Sequence, residues 1–466
     1  MLDKQFNNTI EHPTYIPLSS LQNSRSSSSD KKIYVETYGC QMNLADTEIV
    51  NGIMNRYGYA VNNNAEDSDI ILLNTCSIRE HAETKIYQRL NDLKKYKRSN
   101  PDLIIGVIGC MAERLKRDLI VKSKLVNLII GPDEYRKLPY LIENCVETGD
   151  KGIAVRLSRV ETYEDILPLR KEGISAWLAV MRGCDKFCSF CVVPHTRGRE
   201  RSRSLYGIVS EVEQLWTDGF KEVTLLGQNV NSYKSDENDF ADLLKACAEA
   251  VPEMRIRFTT SHPHDLSIKL LETIALHKNL CKYIHLPIQS GSDRILELMK
   301  RSYNVEHYLN LIKKAREIIP EVSLSTDIIS GFPTETDLDH EMTLEVMNKV
   351  RYDGAYMFKY SPREKTKAYS MKDDIPEDEK SRRLMEIIEL QRVISDELNQ
   401  SMIGKNYEIL VESLSKKSNE MLTGRTDGNK TVIIPKNGTA IGEKVMVRIT
   451  KANSATLFGL PVLKTN

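Results

Sequence analysis

Three apolar runs, each closing on a cysteine, constrain this chain more than any other feature. KKIYVETYGC ends at Cys40, SDIILLNTC at Cys76 and DLIIGVIGC at Cys110. The helix-like segments DTEIVNGIMNRYG and REHAETKIYQRLNDLKKYK separate them. Strands apolar almost throughout, rather than at alternate positions, are buried on both faces, as in a parallel sheet covered by helices. A fourth run, LVNLIIG, and the helix-like PDEYRKLPYLIENCV continue the alternation, so an N-terminal parallel α/β domain is expected over 32–148. Residues 1–31 carry SRSSSSDKK and few large apolar groups, and read as a mobile tail.

A linker over 149–172 leads to a region that repeats one theme six times. AWLAVMRG, EVTLLGQN, MRIRFTTS, CKYIHLPIQ, SLSTDIISG and GAYMFKYS alternate with amphipathic stretches, so a partial (β/α)6 barrel is expected over 173–402. Its functional loops belong at the carboxyl ends of the strands. Over 403–466 the pattern changes to five short strand candidates with Gly, Asn and Asp turns, which suits a small OB-like β-barrel. Between residues 402 and 466 ten Lys and Arg face five Asp and Glu, a net of +5. The whole chain balances 65 basic against 65 acidic residues, so any nucleic-acid surface must be local. No apolar run reaches membrane-spanning length, and no apolar leader follows a basic start, so a cytoplasmic protein without a membrane span is expected. In that reducing setting, nine cysteines read as metal or redox groups before disulfides.

Cys184, Cys188 and Cys191 stand in RGCDKFCSFC, with three and then two residues between successive thiols. Three thiolates on one short loop can wrap a small inorganic cluster. A closed zinc site wants four ligands, and His195, after a proline, is the single local candidate for the fourth. On a cubane of four irons, three cysteines leave one iron open. Cys40, Cys76 and Cys110 are far apart in sequence, yet each follows the carboxyl end of an expected parallel strand. Such ends meet in one crevice, so the three thiols can converge, although each alone reads as a small buried residue.

The CxxxCxxC loop after the first barrel strand, with Phe190 before its last cysteine, resembles the radical S-adenosylmethionine superfamily. YGCQMN at 38–43, LNTCSIRE at 73–80 and VIGC at 107–110 resemble the N-terminal domain of the radical methylthiotransferases. The resemblance runs from about residue 32 onward and includes a C-terminal module similar to the TRAM RNA-binding domain. It implies S-adenosylmethionine and two 4Fe-4S clusters, an auxiliary one on Cys40, Cys76 and Cys110 and a radical-generating one on Cys184, Cys188 and Cys191. The motif tails Gln41-Met42-Asn43 and Ser77-Ile78-Arg79-Glu80, with VVPHTRGRERSR at 192–203, resemble the branch acting on isopentenyladenosine in tRNA. His195 departs from the tyrosine common there.

The resemblance implies methylthiolation of carbon 2 of isopentenyladenosine, 3′ of the anticodon. One S-adenosylmethionine serves as methyl donor and a second as radical source. An aryl C–H bond offers no handle to acid–base catalysis at neutral pH, so cofactor-borne radical chemistry suits the task and no side chain is assigned a catalytic role. The expected partners are the anticodon stem-loop of a tRNA carrying isopentenyladenosine and a low-potential electron donor. The sulfur donor is not readable, and a monomer is expected. For cofactor contacts, Gln228 and Asn229 end the second barrel strand, where turn and cofactor roles weigh equally. Gln289 and Ser290 end the fourth, and Asp327 and Gly331 lie in TDIISGFPTET, with Asp327 reading equally as a capping or solvent-facing residue. Arg197, Arg199, Arg201 and Arg203 read either as a solvated face or as an RNA-backbone contact. Cys145, Cys247 and Cys281 read as packing residues. The rival readings are a methylthiotransferase for threonylcarbamoyladenosine or for a ribosomal-protein aspartate, a non-catalytic iron–sulfur RNA-binding protein, and a zinc RNA-binding protein.

Overall fold

A computed structural model of the chain describes residues 31–77 and 80–462. The expected tail, apart from Lys31, lies outside the described residues, as do Ile78 and Arg79 of the second cysteine motif and the last four residues. The described residues form two compact units: those up to 171, with 182–185 and 191–201, in the first, and the other described residues in the second.

The first unit runs β1 (Lys32–Thr37), α1 (Gln41–Arg56), β2 (Ala60–Val61), β3 (Ile70–Thr75), α2 (Glu80–Asp92), α3 (Lys94–Ser99), β4 (Ile104–Gly109), α4 (Cys110–Leu115), α5 (Asp118–Lys122), β5 (Leu128–Ile130), α6 (Leu138–Thr148) and β6 (Gly152–Ala154). Its sheet is parallel throughout, in the order β2-β1-β3-β4-β5-β6. Every residue of β3 and β4 is buried, as their unbroken apolar runs require. Alternate residues feed two separate cores: Ile70, Leu72, Ile104 and Ile108 on one face, Ile71, Leu73, Ile105 and Val107 on the other. Gly106 sits opposite Leu72, where a Cβ would come within 2.6 Å of the leucine Cδ2.

The second unit holds β7 (Ser175–Ala179); β8 (Met181–Arg182), α7 (Val193–Thr196) and β9 (Arg201–Ser202), which follow it in the chain, belong wholly or in part to the first unit. Then come α8 (Leu205–Thr217), β10 (Glu222–Leu226), the hairpin β11 (Lys234–Ser235) and β12 (Asn238–Asp239), α9 (Phe240–Ala250), β13 (Arg255–Thr259), α10 (Ile268–Leu276), β14 (Tyr283–His285), α11 (Asp293–Leu298), α12 (Val305–Ile318), β15 (Ser323–Ser330), α13 (Asp337–Val350), β16 (Gly354–Lys359) and α14 (Glu377–Gln400). Parallel strands β7, β10 and β13 pair, as do β14, β15 and β16. A parallel bridge from Ile256 to Leu280 joins the two sets into the six-stranded partial barrel. Its helices carry caps where their first turns need them: Ser204, Ser267, Ser292 and Asn304 accept from backbone N–H groups, and Asp239 and Thr336 form capping boxes.

Strands β17 (Asn406–Ser415), β18 (Ser418–Thr426), β19 (Thr431–Pro435), β20 (Lys444–Ala452) and β21 (Leu457–Pro461) close into a five-stranded barrel. This module seats on the amino ends of the barrel strands. Glu222, fully buried, takes Arg257 at 2.7 Å and Arg425 of β18 at 2.7 Å. Arg257 also donates to the Thr426 and Asp427 carbonyls, and Arg255 to those of Arg425 and Glu408. Among the described residues, no helix is long and apolar enough to cross a membrane.

Candidate functional site

Register brings the three distant cysteines to one sheet edge. Thr37 pairs with Asn74, and Thr75 with Gly109, so the adjacent strands β1, β3 and β4 end in step. Cys40, Cys76 and Cys110 follow directly. Gly39, at φ +129°, lets the first loop close over the second: a Cβ there would lie 2.4 Å from that of Cys76. Gly109, at φ +90°, turns β4 into α4 in space that Asn74 and Thr75 would deny a side chain.

The three thiols share one electrostatic environment. A hydrogen bond with Cys76 pulls the Cys40 thiol down to about 6, against burial and with help from Arg197. Burial pushes the Cys110 thiol up, and Arg197 is the strongest charge opposing it. Among the described residues, no three His, Cys, Asp or Glu side chains gather as a group that could hold a metal ion. The donor chemistry fits an iron–sulfur cluster instead: three buried or half-buried cysteines, one already disposed to ionise, beside a guanidinium.

Asp46, fully buried on α1, anchors that guanidinium. It accepts from Arg182 at 2.5 Å and from Arg197 at 2.8 Å, and the Tyr135 hydroxyl lies 3.3 Å away. Burial alone would raise the Asp46 carboxyl, and the two arginines outweigh it and hold it below the usual range. Arg197 Nη2 also reaches Asn43 Oδ1 at 3.4 Å, the oxygen that lies 3.2 Å from Cys40 Sγ.

This placement corrects the arginine reading. Arg197, Arg201 and Arg203 are buried rather than displayed to RNA. Arg201 pairs with Asp133 at 2.8 Å and donates to the Ser158, Glu161, Arg197 and Arg199 carbonyls. Arg203 pairs with Glu211 at 2.6 Å. Of the four, Arg199 alone is exposed, in an ion pair with Asp185. The acids that draw the others inward lie up to 151 residues away in sequence, so charge spacing within 192–203 could not expose them.

In the CxxxCxxC loop, Cys184 and Cys191 belong to the first unit and Cys188 to the second, and all three are partly exposed. The Cys184 N–H donates to the Gly198 carbonyl at 3.1 Å. Cys188 Sγ accepts from Arg301 Nη1 at 3.3 Å, and Arg301 also donates to the Pro287 carbonyl and lies 5.0 Å over the Tyr303 ring. His195 is exposed on α7. Cys145, Cys247 and Cys281 are buried, and burial pushes the last two thiols to about 12.

The carboxyl ends of the barrel strands hold buried polar atoms with no hydrogen-bond partner among the described residues. They are Asn229 Oδ1 after β10, Ser261 Oγ after β13, Ser330 Oγ ending β15 and the Tyr360 hydroxyl after β16. Asn229 donates through Nδ2 to Asp265 at 2.7 Å, which leaves its acceptor for a ligand donor. Gln228 is half-buried. Gln289, at φ +74°, bridges the strands by its backbone, donating to the Asp327 carbonyl and accepting from Ile329, while Ser290 Oγ accepts from the Ser292 N–H. Asp327 lies 3.4 Å from His285. Gly331 differs from expectation: the side chain its φ of +70° makes room for is Lys380, whose Cγ lies 2.3 Å from where a Cβ would be. Four unpaired polar atoms at the mouth fit a polar cofactor such as S-adenosylmethionine.

Ser261, Ser330, Tyr360, Arg301 and Asp46 escaped the reading of the sequence. Asp46 left one signal: with Asn43 it interrupts the core-facing stripe of α1 at i, i+3 spacing, where an apolar helix face has no use for polar groups.

Three family models match the chain: Uncharacterized protein family UPF0004 over residues 32–131, the Radical SAM superfamily over 178–347 and the TRAM domain over 400–462. A tRNA-2-methylthio-N(6)-dimethylallyladenosine synthase from Chloroherpeton thalassium is 53% identical over 432 residues, 92% of this chain and 95% of that protein. The synthase of the same name from Parabacteroides distasonis is 50% identical over 446 residues, 94% and 97% of the two chains. The chain belongs to this synthase family. It is therefore a radical S-adenosylmethionine enzyme of the methylthiotransferase kind. Among solved structures, the radical S-adenosylmethionine methyltransferase TsrM from Kitasatospora setae, with cobalamin and a [4Fe-4S] cluster bound, shares the fold. Its TM-score is 0.57 at 12% identity, covering 73% of this chain and 77% of that one.

Proposed function

We propose that this chain installs a methylthio group on carbon 2 of isopentenyladenosine, on the 3′ side of the anticodon in tRNA. The observation that carries the reading is identity of about half the residues, over nearly the whole length, to synthases named for that product. The cysteines at the ends of β1, β3 and β4 supply the second donor set such a reaction needs.

Cys184, Cys188 and Cys191 would hold one 4Fe-4S cluster and Cys40, Cys76 and Cys110 another. With S-adenosylmethionine, these groups supply one-electron cleavage and sulfur transfer when bound. The chain's own residues position them. Arg301 supplies a fixed positive charge beside Cys188, stabilising added electron density there. Asn229, Ser261, Ser330 and Tyr360 offer the polar lining for the cofactor, and Gln228, Gln289, Ser290 and Asp327 stand around that mouth. The target base must leave the anticodon stack before its edge can be reached. For RNA, the exposed Arg199 and the outward cations of the C-terminal barrel remain from the expected set. The electron comes from a low-potential donor, and the enzyme acts as a monomer in the cytoplasm.

The test is anaerobically reconstituted protein with S-adenosylmethionine, dithionite and two tRNAs, one isopentenylated and one threonylcarbamoylated, followed by mass spectrometry of nucleosides. A methylthio product from the isopentenylated tRNA alone is expected. Product from the other tRNA, or 5′-deoxyadenosine without either nucleoside product, overturns the substrate assignment. In Cys188→Ala, 5′-deoxyadenosine formation should fall to background.

A further inference from the structure

Asp265 stands where three separate pieces of the second unit meet. It closes the short turn after β13, in which the His262 ring accepts from the His264 N–H at 3.2 Å and the His262 carbonyl from the Asp265 N–H at 3.0 Å. Asn231, after β10, clamps that turn, donating to the His262 carbonyl at 3.0 Å and accepting from the His262 N–H at 2.8 Å. So fixed, the Asp265 carboxylate accepts from Asn229 Nδ2 at 2.7 Å, from Lys186 Nζ at 2.7 Å and from His264 Nδ1 at 2.8 Å. Burial would raise this carboxyl, and the three donors outweigh it and hold it below the usual range. An ionised carboxylate can only accept. It therefore dictates which way the Asn229 amide faces. The nitrogen turns to Asp265, and Oδ1 is left buried, on a residue 2% exposed, with no partner among the described residues. Lys186 lies between Cys184 and Cys188, in the part of the cysteine loop that shares a unit with Asp265. On its far side that segment is held by Ser189, whose N–H and hydroxyl donate to the Met299 and Leu298 carbonyls. Lys186 is the tie that also reaches a group of the mouth.

We propose that Asp265 is a positioning residue with two duties: it aims Asn229 Oδ1 at a hydrogen-bond donor of S-adenosylmethionine, and through Lys186 it holds the cysteine loop in place. Both duties presuppose the proposed function, with Cys184, Cys188 and Cys191 holding a cluster and the mouth seating the cofactor. Asp265 itself touches neither. Its part is to set an acceptor: with the Asn229 amide reversed, N–H groups would face the donors of the cofactor, and donor would meet donor. Because one carboxylate serves both neighbours, the loop that carries the cysteines and the acceptor that meets the cofactor are set together.

The test uses the full-length chain with Cys40→Ala, Cys76→Ala and Cys110→Ala, so that the loop cysteines are read alone. After anaerobic reconstitution two quantities are measured: affinity for S-adenosylmethionine by equilibrium dialysis, and the rate at which a chelator removes iron in its absence. Asn229→Ala should weaken affinity roughly tenfold and leave iron release unchanged. Lys186→Met should speed iron release about threefold, the worth of a partly exposed ion pair, and keep affinity within about twofold of the background. Asp265→Asn, of equal size, should do both. Added to Asn229→Ala, it should weaken affinity no further, because it acts through that amide. A background protein that takes up no iron overturns the cluster reading and this assignment with it. With iron present, unchanged affinity in Asp265→Asn, or losses that add in the double variant, overturn the aiming of Asn229. Iron release unchanged in both Asp265→Asn and Lys186→Met overturns the tie to the loop. A lower urea midpoint with both quantities intact makes Asp265 a prop for the fold and overturns both duties, while the cluster reading stands.

Discussion

The two ends of the six-stranded barrel treat buried polarity in opposite ways. At the amino ends, Glu222, Arg255, Arg257 and Arg425 form a network whose buried nitrogens and oxygens all have partners, several of them backbone carbonyls of the C-terminal module. At the carboxyl ends, Asn229, Ser261, Ser330 and Tyr360 each keep a buried polar atom without a partner among the described residues. An unpaired buried polar group costs about 1–3 kcal/mol. The same chain saturates its charges at one end and leaves neutral groups open at the other, so the openness is not a failure of packing. The floor is a structural joint, and the mouth is where the proposed function seats the cofactor.

The largest effect should come from breaking the floor. Glu222→Ala leaves Arg257 and Arg425 facing each other without their shared carboxylate, and should cost about 3–5 kcal/mol of unfolding free energy. Urea unfolding measures the loss, and proteolysis should release the C-terminal module early. A loss below about 1 kcal/mol would mean that the joint is no stronger than a surface ion pair. The network also sets a pH response. Burial alone would raise the Glu222 carboxyl, and Arg257 and Arg425 outweigh it, holding it below its ordinary 4.5. A folded value below the unfolded one makes the contribution complete above that pH and lost as the pH falls through the lower folded value. Wild type and Glu222→Gln should therefore converge in stability on acidification.

The contrast also separates what the sequence made legible from what it did not. The parallel sheet was readable because β3 and β4 are apolar at every position, and the six barrel strands because apolar runs alternate with amphipathic helices. The placement of Cys40, Cys76 and Cys110 along one sheet edge was readable because residues following adjacent parallel strands share an edge. The partners of buried charges were not readable. Arg197 and Asp46 are 151 residues apart, and Glu222 and Arg425 are 203 apart. No local spacing encodes such pairs, so alternating arginines looked like a surface. Ser261, Ser330 and Tyr360 were missed for a related reason: a hydroxyl beside a strand end is common, and only burial without a partner distinguishes these three. Gly331 was singled out for close backbone approach to a cofactor, and the group packed against its Cα, at φ +70°, is the Lys380 stem from α14.

At the mouth the balance between stability and binding should invert. Asn229→Ala removes an acceptor that the fold does not use, and Lys186 still holds Asp265 at 2.7 Å. Unfolding free energy should change by about 1 kcal/mol or less, while affinity for S-adenosylmethionine should weaken roughly tenfold, as one lost hydrogen bond of about 1.5 kcal/mol predicts. Anaerobic equilibrium dialysis on the reconstituted enzyme reads this directly. A variant that loses stability and keeps its affinity would make the mouth another joint and dissolve the comparison.

The smallest effects fall on the C-terminal module, where the same distinction divides cations of one sign. Arg425, Lys430 and Lys444 are engaged inside the second unit, with Glu222, with Asp353 at 2.8 Å and with the Glu253 carbonyl at 2.7 Å. Lys416 and Lys417, at the turn between β17 and β18, and Lys436, after β19, are exposed. The +5 of this segment therefore overstates what is available to RNA, because part of it holds the module in place. Binding of an anticodon stem-loop should weaken as salt rises, and a cation in contact with a phosphate contributes nearly one to the slope of log affinity against log salt. Lys416→Ala and Lys417→Ala should each lower that slope by just under one, with unfolding free energy unchanged. Lys430→Ala should leave the slope alone and reduce stability instead. Equal slopes for all three variants would show that the outward lysines are solvated surface and that RNA is held elsewhere on the chain.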